Sequence, residues 1–191
     1  SDPAVGSHIQ APNSLLTPSI AVPEPVDGIQ LVCVGWTMVG SDPTNGTTTN
    51  FSMTVTNDAV LTWRWSTNYW LTIAPTLNGS VDTDNSWQPA DAITQIAATA
   101  EIYYHFTHWT GSVSVTNNPL DLLMDAPQNI QAHFTENLAT NNTPEWWLAQ
   151  YGWTNDFDAA ATNDAEPDGF PTWQEYIADT DPTNSESIIP P

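Results

Sequence analysis

The sequence predicts an all-β protein made of two tandem small β modules, followed by a short helical segment at the C-terminal end. Three observations predict this fold class. Apolar and polar residues alternate in many short stretches, one pattern of strands and turns occurs twice, and the composition changes after Phe134. Alternation with a period of two is typical of a strand with one buried face.

The N-terminal arm, residues 1–19, contains short apolar groups separated by proline and polar residues. Such a segment buries too little apolar surface to fold alone. We expect it to take up β structure only by adding to another strand. The residues predicted to make this contact are the apolar ones in and just after the arm: Ile9, Leu15, Leu16, Ile20 and Val22.

The first β repeat, residues 20–66, is predicted from three apolar stretches joined by polar loops. Residues 29–36 have a strong strand pattern, residues 51–55 alternate, and residues 60–65 close the repeat. The short polar stretch 66–68 predicts a turn or bend before the next strand.

The second β repeat, residues 67–135, follows the same plan. Residues 102–110 align with residues 29–37, and residues 119–134 align with residues 50–65 without a gap. Internal duplication is therefore the main organising feature of the chain.

The second repeat also has an additional hairpin-like stretch, residues 71–96, with Asn78-Gly79 as its turn signal. The first repeat has no counterpart except the irregular arm. Two alternatives follow: the arm replaces the missing strands within its own chain, or the first repeat takes a strand from elsewhere.

The charge balance excludes two classes of partner. The chain has 22 acidic residues and a single basic one, Arg64, which gives a formal net charge of -21. Nucleic acids and anionic membrane surfaces would be repelled, since proteins bind them through Lys and Arg. Divalent cations are the natural counterions of such a surface.

The composition is typical of a secreted or surface-exposed β protein, with 16 prolines, many Thr, Asn and Ser, and little Lys or Glu. We find no membrane span in the sequence. The chain begins at Ser1 rather than Met, which suggests that an export signal has been removed. Cys33 has no partner in the chain and aligns with Phe106, so we expect a buried free thiol.

No constellation of catalytic residues occurs at an interpretable spacing, so we expect no enzymatic activity. His105 and His133 fall on the outer side of two neighbouring predicted strands, and we interpret them as a polar pair rather than a metal site. Four tryptophans are not explained by the strand periodicity, and they either seal joints between modules or stack on sugars. They are Trp70, Trp87, Trp146 and Trp147.

Two short motifs carry a resemblance to a known family. They are Gly35-Trp36-Thr37 and His108-Trp109-Thr110-Gly111, and each precedes a polar loop, an apolar strand, a turn and a closing strand. With this arrangement, about residues 26–134 resemble the divergent internalin-B-type repeats of bacteria. The resemblance implies small β modules of secreted or cell-surface proteins, which act as spacers, adhesive stalks or display units. It implies no enzyme activity.

The C-terminal segment, residues 136–191, contains a motif for calcium. Residues 164–175 have oxygen-bearing side chains at loop positions 1, 3 and 5, glycine at position 6 and glutamate at position 12. This EF-hand-like spacing presents hard oxygen ligands to one ion, and residues 172–178 are predicted to form the exiting helix. The predicted ligands are Asp164, Glu166, Asp168, the Phe170 carbonyl, Thr172 through its hydroxyl or a water, and Glu175.

Residues 175–182 resemble the calcium-binding tails of bacterial surface proteins related to thrombospondin type 3 and dockerin-like repeats. The resemblance implies that Asp181, in a Thr-Asp-Pro sequence, is a further ligand. Glu166 is longer than the usual residue at its position, and Pro171 removes a backbone donor used when two such loops pair. Both departures favour one unpaired structural Ca²⁺ site over a calcium sensor.

Two functional hypotheses follow. In the first, the protein is an extracellular structural subunit that polymerises into a surface filament by adding its arm to an open edge of a neighbouring copy, with calcium stabilising the C-terminal segment. In the second, it is a calcium-stabilised carbohydrate-binding or adhesive module of a larger secreted protein. The first predicts a homopolymer, and the second predicts a monomer that binds glycans.

Overall fold

The computed structural model describes residues 2–187 and has 40% strand and 12% helix, which confirms the predicted all-β fold with a short helical C-terminal segment. The strands are β1 (Leu15–Leu16), β2 (Ile29–Val39), β3 (Asn45–Gly46), β4 (Met53–Thr54), β5 (Val60–Ile73), β6 (Gly79–Val81), β7 (Ser86–Pro89), β8 (Ile93–Ile96), β9 (Ala98–Ala100), β10 (Tyr104–Gly111), β11 (Leu120–Leu123), β12 (Gln128–Glu136), β13 (Leu138–Ala139) and β14 (Thr143–Pro144). The helices are a 3-10 turn (Thr140–Asn142), α1 (Glu145–Gln150), α2 (Phe157–Thr162) and α3 (Thr172–Ala178). Among the described residues, no helix has the length and apolar character needed to cross a membrane.

The chain divides into two compact units, each assembled from several segments. The first contains the residues up to Thr72 together with 84–95 and 121–129. The second contains 73–83, 96–120 and the residues from Ile130 onward. The boundaries predicted after residues 19, 66 and 135 delimit repeats of the sequence rather than compact bodies, and they stay a prediction.

The first unit is organised around β2 and β5, which pair antiparallel from Ile29 opposite Tyr69 to Val39 opposite Val60. β3 pairs with β2, and β7 pairs with β5. The turn predicted at residues 66–68 is wrong, because β5 continues through this stretch. Ser66, Thr67 and Asn68 each pair with a residue of β2. These ladder contacts override the turn preference of polar side chains.

A β-bulge interrupts β2 between Cys33 and Gly35, whose partners on β5 are Trp65 and Arg64. Gly35 has a φ of 127°, and a Cβ at this position would overlap the carbonyl oxygen of Gly46 on β3. Only glycine meets both demands. Arg64, the one basic residue of the sequence, therefore lies inside a paired strand.

The second unit contains the same irregularity. β10 pairs antiparallel with β12, and the register shifts between Phe106 and His108. In the alignment of the two repeats, these residues correspond to Cys33 and Gly35, and their partners on β12 correspond to those on β5. The bulge thus occurs at the same place in both repeats, which is a structural sign of the duplication.

The bulge also changes which histidines meet. His108 lies opposite His133, and their rings stack with centroids 4.6 Å apart. His105 instead lies with its Nδ1 2.8 Å from Oδ1 of Asn137. The predicted pair of His105 and His133 is wrong, because His105 lies opposite Thr135 and His133 meets His108. Thr107 adds a residue to β10, which brings His108 to the same side of the sheet as His105.

A hydrophobic cluster, called here the Trp36 cluster, covers one end of the face formed by β2 and β5. Trp36 is 3% exposed and stacks on Phe51 with ring centroids 3.7 Å apart. Cys33 is a buried free thiol, as predicted. The cluster consists of Trp36, Met38 and Met53, with Leu16, Phe51, Val55, Leu61 and Trp63 packed against them.

The four tryptophans outside the strand periodicity all have aromatic or polar partners. Trp70 and Trp87 lie opposite each other on β5 and β7, edge to face at 5.1 Å. The indole N–H of Trp146 donates to Oε2 of Glu136 at 2.6 Å. Trp147 is buried, so its surface is not available to stack on a sugar.

The C-terminal segment packs around a small cluster of its own. Its buried residues are Ala139, Trp147, Leu148, Ala160 and Ala161. α1 follows Pro144 and α2 supplies the two alanines, so these short helices are held by packing rather than by their own length. We call it the tail cluster. Tyr176 of α3 also packs against it, so the cluster holds both helices that flank the candidate metal centre.

Candidate metal centre and N-terminal arm

The predicted calcium loop lies between α2 and α3, and its two ends are tied together by Thr172. The backbone N–H and the hydroxyl of Thr172 both donate to the carbonyl oxygen of Asn163, at 2.9 and 3.0 Å. Thr172 is 0% exposed. Because this residue is also the first of α3, the hydrogen bonds close the loop at the start of the helix.

Two carboxylates shape the interior of the loop. Oδ2 of Asp164 accepts a hydrogen bond from the N–H of Gly169 at 3.0 Å. Oδ1 of Asp168 accepts one from the N–H of Phe170 at 2.8 Å. Gly169 has a φ of 97°, in the region that favours glycine. Each of the two aspartates keeps its second oxygen for another partner.

The exiting helix is α3, with the predicted bounds. Glu175 lies in its first turn and is 1% exposed. The next residue, Tyr176, packs edge to face on Trp147 with ring centroids 5.2 Å apart. The packing of α3 on the tail cluster therefore fixes where the Glu175 carboxylate lies.

The fold brings three of the predicted ligands together. One carboxylate oxygen each from Glu166, Asp168 and Glu175 lie within 4.8 Å of one another. Several oxygens of the loop are buried without a hydrogen-bond partner. They are Oδ1 of Asp164, Oε1 and Oε2 of Glu166, Oδ2 of Asp168 and Oε2 of Glu175.

Burying unpaired carboxylate oxygens costs several kcal/mol per charge unless a cation or donor compensates. The sequence has one basic residue other than histidine, so side-chain cations are scarce. A group of hard, anionic oxygens that lack donors is the ligand chemistry of Ca²⁺. The residues of this loop therefore fit a bound calcium ion.

The electrostatics of the cluster support the same assignment. The pKa of Glu175 is raised to about 7. Burial is the largest cause, and the negative charges of Glu166 and Asp168 add to it. The pKa of Glu166 is also raised, first by burial and then by the charge of Asp168. The carboxylates thus repel one another, and a divalent cation would relieve this repulsion.

Without divalent cations, the stability of the C-terminal segment is expected to increase as the pH falls from about 7 to 4.5. The pKa of Glu175 is about 7 in the folded protein against 4.5 for an unperturbed group, so the folded state binds the proton more tightly. This stabilisation is complete below pH 4.5 and is lost as the pH rises through 7. It amounts to about 3 kcal/mol at 1.36 kcal/mol per pH unit.

Thermal unfolding in metal-free buffer tests this expectation. The melting temperature should be higher at pH 4.5 than at pH 7. The pKa of Asp181 is lowered, chiefly by the Thr183 hydroxyl, so its opposite contribution is lost only at more acidic pH. A melting temperature that is lower at pH 4.5 than at pH 7 would contradict the assigned burial of Glu175.

The other predicted ligands are not among the three carboxylates that converge. The N–H of Phe170 binds Asp168, and the hydroxyl proton of Thr172 is used in closing the loop. Oδ1 of Asp181 accepts two hydrogen bonds from Thr183, from its N–H at 2.9 Å and its hydroxyl at 2.7 Å. The roles of Phe170, Thr172 and Asp181 as ligands stay a prediction.

Sequence reasoning missed two residues that hold the site together. Asn163 accepts both closing hydrogen bonds through its backbone carbonyl, a role that any residue type can fill. The N–H of Thr180 donates to the carbonyl oxygen of Glu175 at 3.0 Å. α2 was also missed, because six residues rich in alanine give no distinctive periodicity.

The N-terminal arm adds to the first repeat of its own chain, which is the first of the two alternatives. Leu15 lies opposite Thr54, and Leu16 lies opposite Met53. Four further backbone hydrogen bonds extend this contact: Asn13 N–H to Val55, Val55 N–H to Ser14, Phe51 N–H to Pro18, and Ile20 N–H to Thr49, at 2.8 to 3.2 Å. The arm is therefore an edge strand along residues 49–55.

The predicted contact residues of the arm fall into two groups. Leu16 packs against the Trp36 cluster, and Ile20 is half-buried. Ile9, Leu15 and Val22 are exposed, at 102%, 70% and 45%. One side of the arm thus contacts the first repeat while much of its apolar surface remains in contact with solvent.

Comparison with known families supports the resemblance for the second repeat. Residues 69–138 match the family described as the divergent InlB B-repeat domain. The match covers less than half of the chain, and the first repeat lies outside it. No curated protein and no solved structure matches the chain. Because repeats of this kind are typical of bacterial surface proteins, residues 69–138 are similar to a surface or extracellular module of a bacterial protein.

Proposed function

We propose that the protein is an extracellular structural subunit, without catalytic activity, that polymerises into surface filaments by β-strand addition and is stabilised by one calcium ion. The observation that carries the proposal is the way the arm is held. Its backbone completes the edge formed by residues 49–55, and its Leu16 side chain enters the Trp36 cluster. An element held in this way can be exchanged between identical copies.

The segment that joins the arm to β2 favours such an exchange. Residues 21–27 are all exposed, and they include Pro23 and Pro25. Seven extended residues span up to about 25 Å, so the arm can reach beyond its own subunit. Exchange replaces each contact by the same contact made with a neighbour, which makes it a low-cost route to assembly.

Exchange in one direction gives a filament rather than a closed dimer. If each arm docks on the next copy and not on the copy that docks on it, the contact is head-to-tail and the assembly stays open. At a net charge of -21 per subunit, such contacts are opposed by like-charge repulsion. Divalent cations weaken this repulsion by binding and by screening.

Calcium enters the proposal through the C-terminal segment. Asp164, Glu166, Asp168 and Glu175 would hold the ion, which compensates their charges and ties the loop to α3. This part rests on the unpartnered buried oxygens of the loop and on the resemblance to thrombospondin type 3 and dockerin-like tails. The ion has a structural role here, because it links the loop to the packed helix.

Negative-stain electron microscopy of the purified chain, in calcium and then in a chelator, tests the proposal. Regular filaments in calcium are expected, with loss or shortening of the filaments on chelation. Isolated particles under both conditions would overturn the filament proposal. If such particles also bound carbohydrate, the glycan-binding module would be the better account.

A further inference from the structure

A groove open to solvent lies along α2 and the residues just before and after this helix. It encloses about 500 Å³, and clefts of about 300 to 1,000 Å³ are typical of small-ligand sites in proteins. All the residues that line it belong to one compact unit. They are Trp153, Asn155, Asp156, Ala159, Ala160, Thr162 and Asn163.

Trp153 supplies the aromatic surface of the groove. Part of its side chain packs against the tail cluster, which holds the indole in place. Within the described range, residues 2–187, the ring contacts of that cluster join Trp147 to Tyr151 and Tyr176 and do not include Trp153. The half-buried indole therefore presents the rest of its surface to the groove. A fixed, flat aromatic surface beside polar groups is suited to stacking against the C–H face of a sugar ring.

The polar side chains of the groove are free to bind a ligand. Asn155, Asp156 and Asn163 are exposed, and their side chains make no hydrogen bond to any other described residue. The two amides offer donors and acceptors, and the carboxylate offers acceptors. The hydroxyl of Thr162 donates to carbonyl oxygens of α2 at 2.9 and 3.2 Å, so it can only accept from a ligand. This mixture matches hydroxyl groups, which both donate and accept.

The backbone of Asn163 is fixed even though its side chain is free. Its carbonyl oxygen accepts both hydrogen bonds from Thr172 that close the calcium loop, and its N–H donates to the carbonyl of Ala159 at 3.0 Å. Packing on the tail cluster fixes Trp153 at the other side of the groove. A site whose parts are already positioned loses little conformational entropy when a ligand binds.

The charges of the segment restrict the ligand to a neutral one. Asp156 lines the groove, and the only basic residue of the sequence other than histidine, Arg64, belongs to the other compact unit. Carboxylated or sulfated ligands would therefore be repelled. The apolar lining consists of Trp153 and two alanines, which is too small for the apolar face of a helix. The backbone groups of α2 are used within the helix, so a peptide strand cannot pair with it.

We infer that this groove binds a neutral carbohydrate chain, with one sugar ring stacked on Trp153 and its hydroxyl groups hydrogen-bonded to Asn155, Asp156 and Asn163. The inference goes beyond the proposed function and does not depend on it, because every residue of the groove comes from one copy of the chain. A filament of such subunits would carry one carbohydrate site per subunit.

Calorimetric titration of the purified chain, in calcium, tests the inference. The probes are neutral gluco-, manno- and galacto-oligosaccharides, each paired with the corresponding oligouronate. At least one neutral oligosaccharide should bind, and its charged counterpart should bind at least tenfold more weakly. The inference is overturned if none of the neutral probes binds or if the charged counterpart binds equally well.

Substitutions locate the binding site. Trp153→Ala should weaken binding at least tenfold. Trp65→Ala is the matched control, because Trp65 is 40% exposed and lies in the other compact unit, and it should leave binding within about twofold of the natural chain. Asn155→Ala and Asn163→Ala should each weaken binding about three- to tenfold. Neither should lower the melting temperature, since neither side chain has a hydrogen bond to lose.

The two asparagine variants decide the outcome if Trp153→Ala fails to fold. Unchanged binding in both of them would overturn the inference, as would an equal loss of binding in Trp65→Ala. The result is distinguishable from a failure of the proposed function. A natural chain that binds carbohydrate through this groove but forms no filaments would overturn the filament proposal alone, and filaments that bind none of the probes would overturn this inference alone.

Discussion

Replacing Glu175 with glutamine is expected to abolish the calcium-dependent rise in the melting temperature of the protein. Glu175 is the most buried carboxylate of the loop, at 1% exposure, and one of its oxygens has no partner. Free Ca²⁺ at a concentration 100 times its dissociation constant stabilises the folded state by about 2.7 kcal/mol. For a chain of this size, that corresponds to a shift of about 5 to 10 °C.

In a chelator the order of stability should reverse. The neutral amide of Glu175→Gln removes the charge that Glu166 and Asp168 repel, and its N–H groups can donate to their oxygens. At pH above about 7, where Glu175 is ionised, the variant should therefore be more stable than the natural chain without calcium. With calcium it should be less stable.

Calorimetric unfolding in calcium and in chelator measures both effects. Glu186→Gln is the matched control, because it removes the same charge from an exposed residue and should keep the full calcium response. If Glu175→Gln retained that response, the ion would not be bound by this cluster. If the natural chain showed no response, the calcium proposal would fail.

Replacing Leu16 with serine is expected to release the arm and reduce filament assembly at least tenfold. Leu16 packs on the Trp36 cluster, and losing its buried apolar surface costs about 2 kcal/mol. The neighbouring Leu15 points to the other side of the strand and is 70% exposed. Leu15→Ser should change stability by less than about 0.5 kcal/mol and should leave assembly intact.

Deletion of residues 1–19 extends this test. The truncated chain should remain a folded monomer that no longer assembles, and a peptide of residues 1–19 should bind to it. Circular dichroism checks the fold, and sedimentation checks the assembly and the binding. Unchanged assembly after the deletion would show that the arm is not the connecting element.

The sequence predicted much of the strand content because Leu61, Trp63 and Trp65 alternate with polar residues, and Leu61 and Trp63 do pack against the Trp36 cluster. It also predicted the duplication, and the bulge at equivalent positions of β2 and β10 now has a shared structural basis. It did not predict the bulge itself, because Val32, Cys33 and Val34 are all apolar and hide the change of side-chain parity in β2. The pairing of His108 with His133 was missed for the same reason.

The spacing of the candidate metal ligands could be predicted from the sequence, but the hydrogen bonds around them could not. The spacing of Asp164, Glu166, Asp168 and Glu175 is a property of the sequence, and three of these carboxylates do converge. The hydrogen bonds of Asp181 to Thr183 depend on how the chain turns after α3, which the sequence does not specify locally. The discontinuous compact units were also beyond prediction, because they arise from long-range contacts.

The position of Arg64 has a consequence for resistance to proteolysis. Digestive enzymes that cleave after basic residues find one such residue in the whole chain, and it lies opposite Gly35 within a paired strand. Proteolysis is concentrated at exposed loop tips and chain ends, so cleavage here would first require β5 to detach from β2. Cleavage by this large class of proteases is therefore expected to be slow as long as β5 stays paired, although the chain has one cysteine and so no internal disulfide.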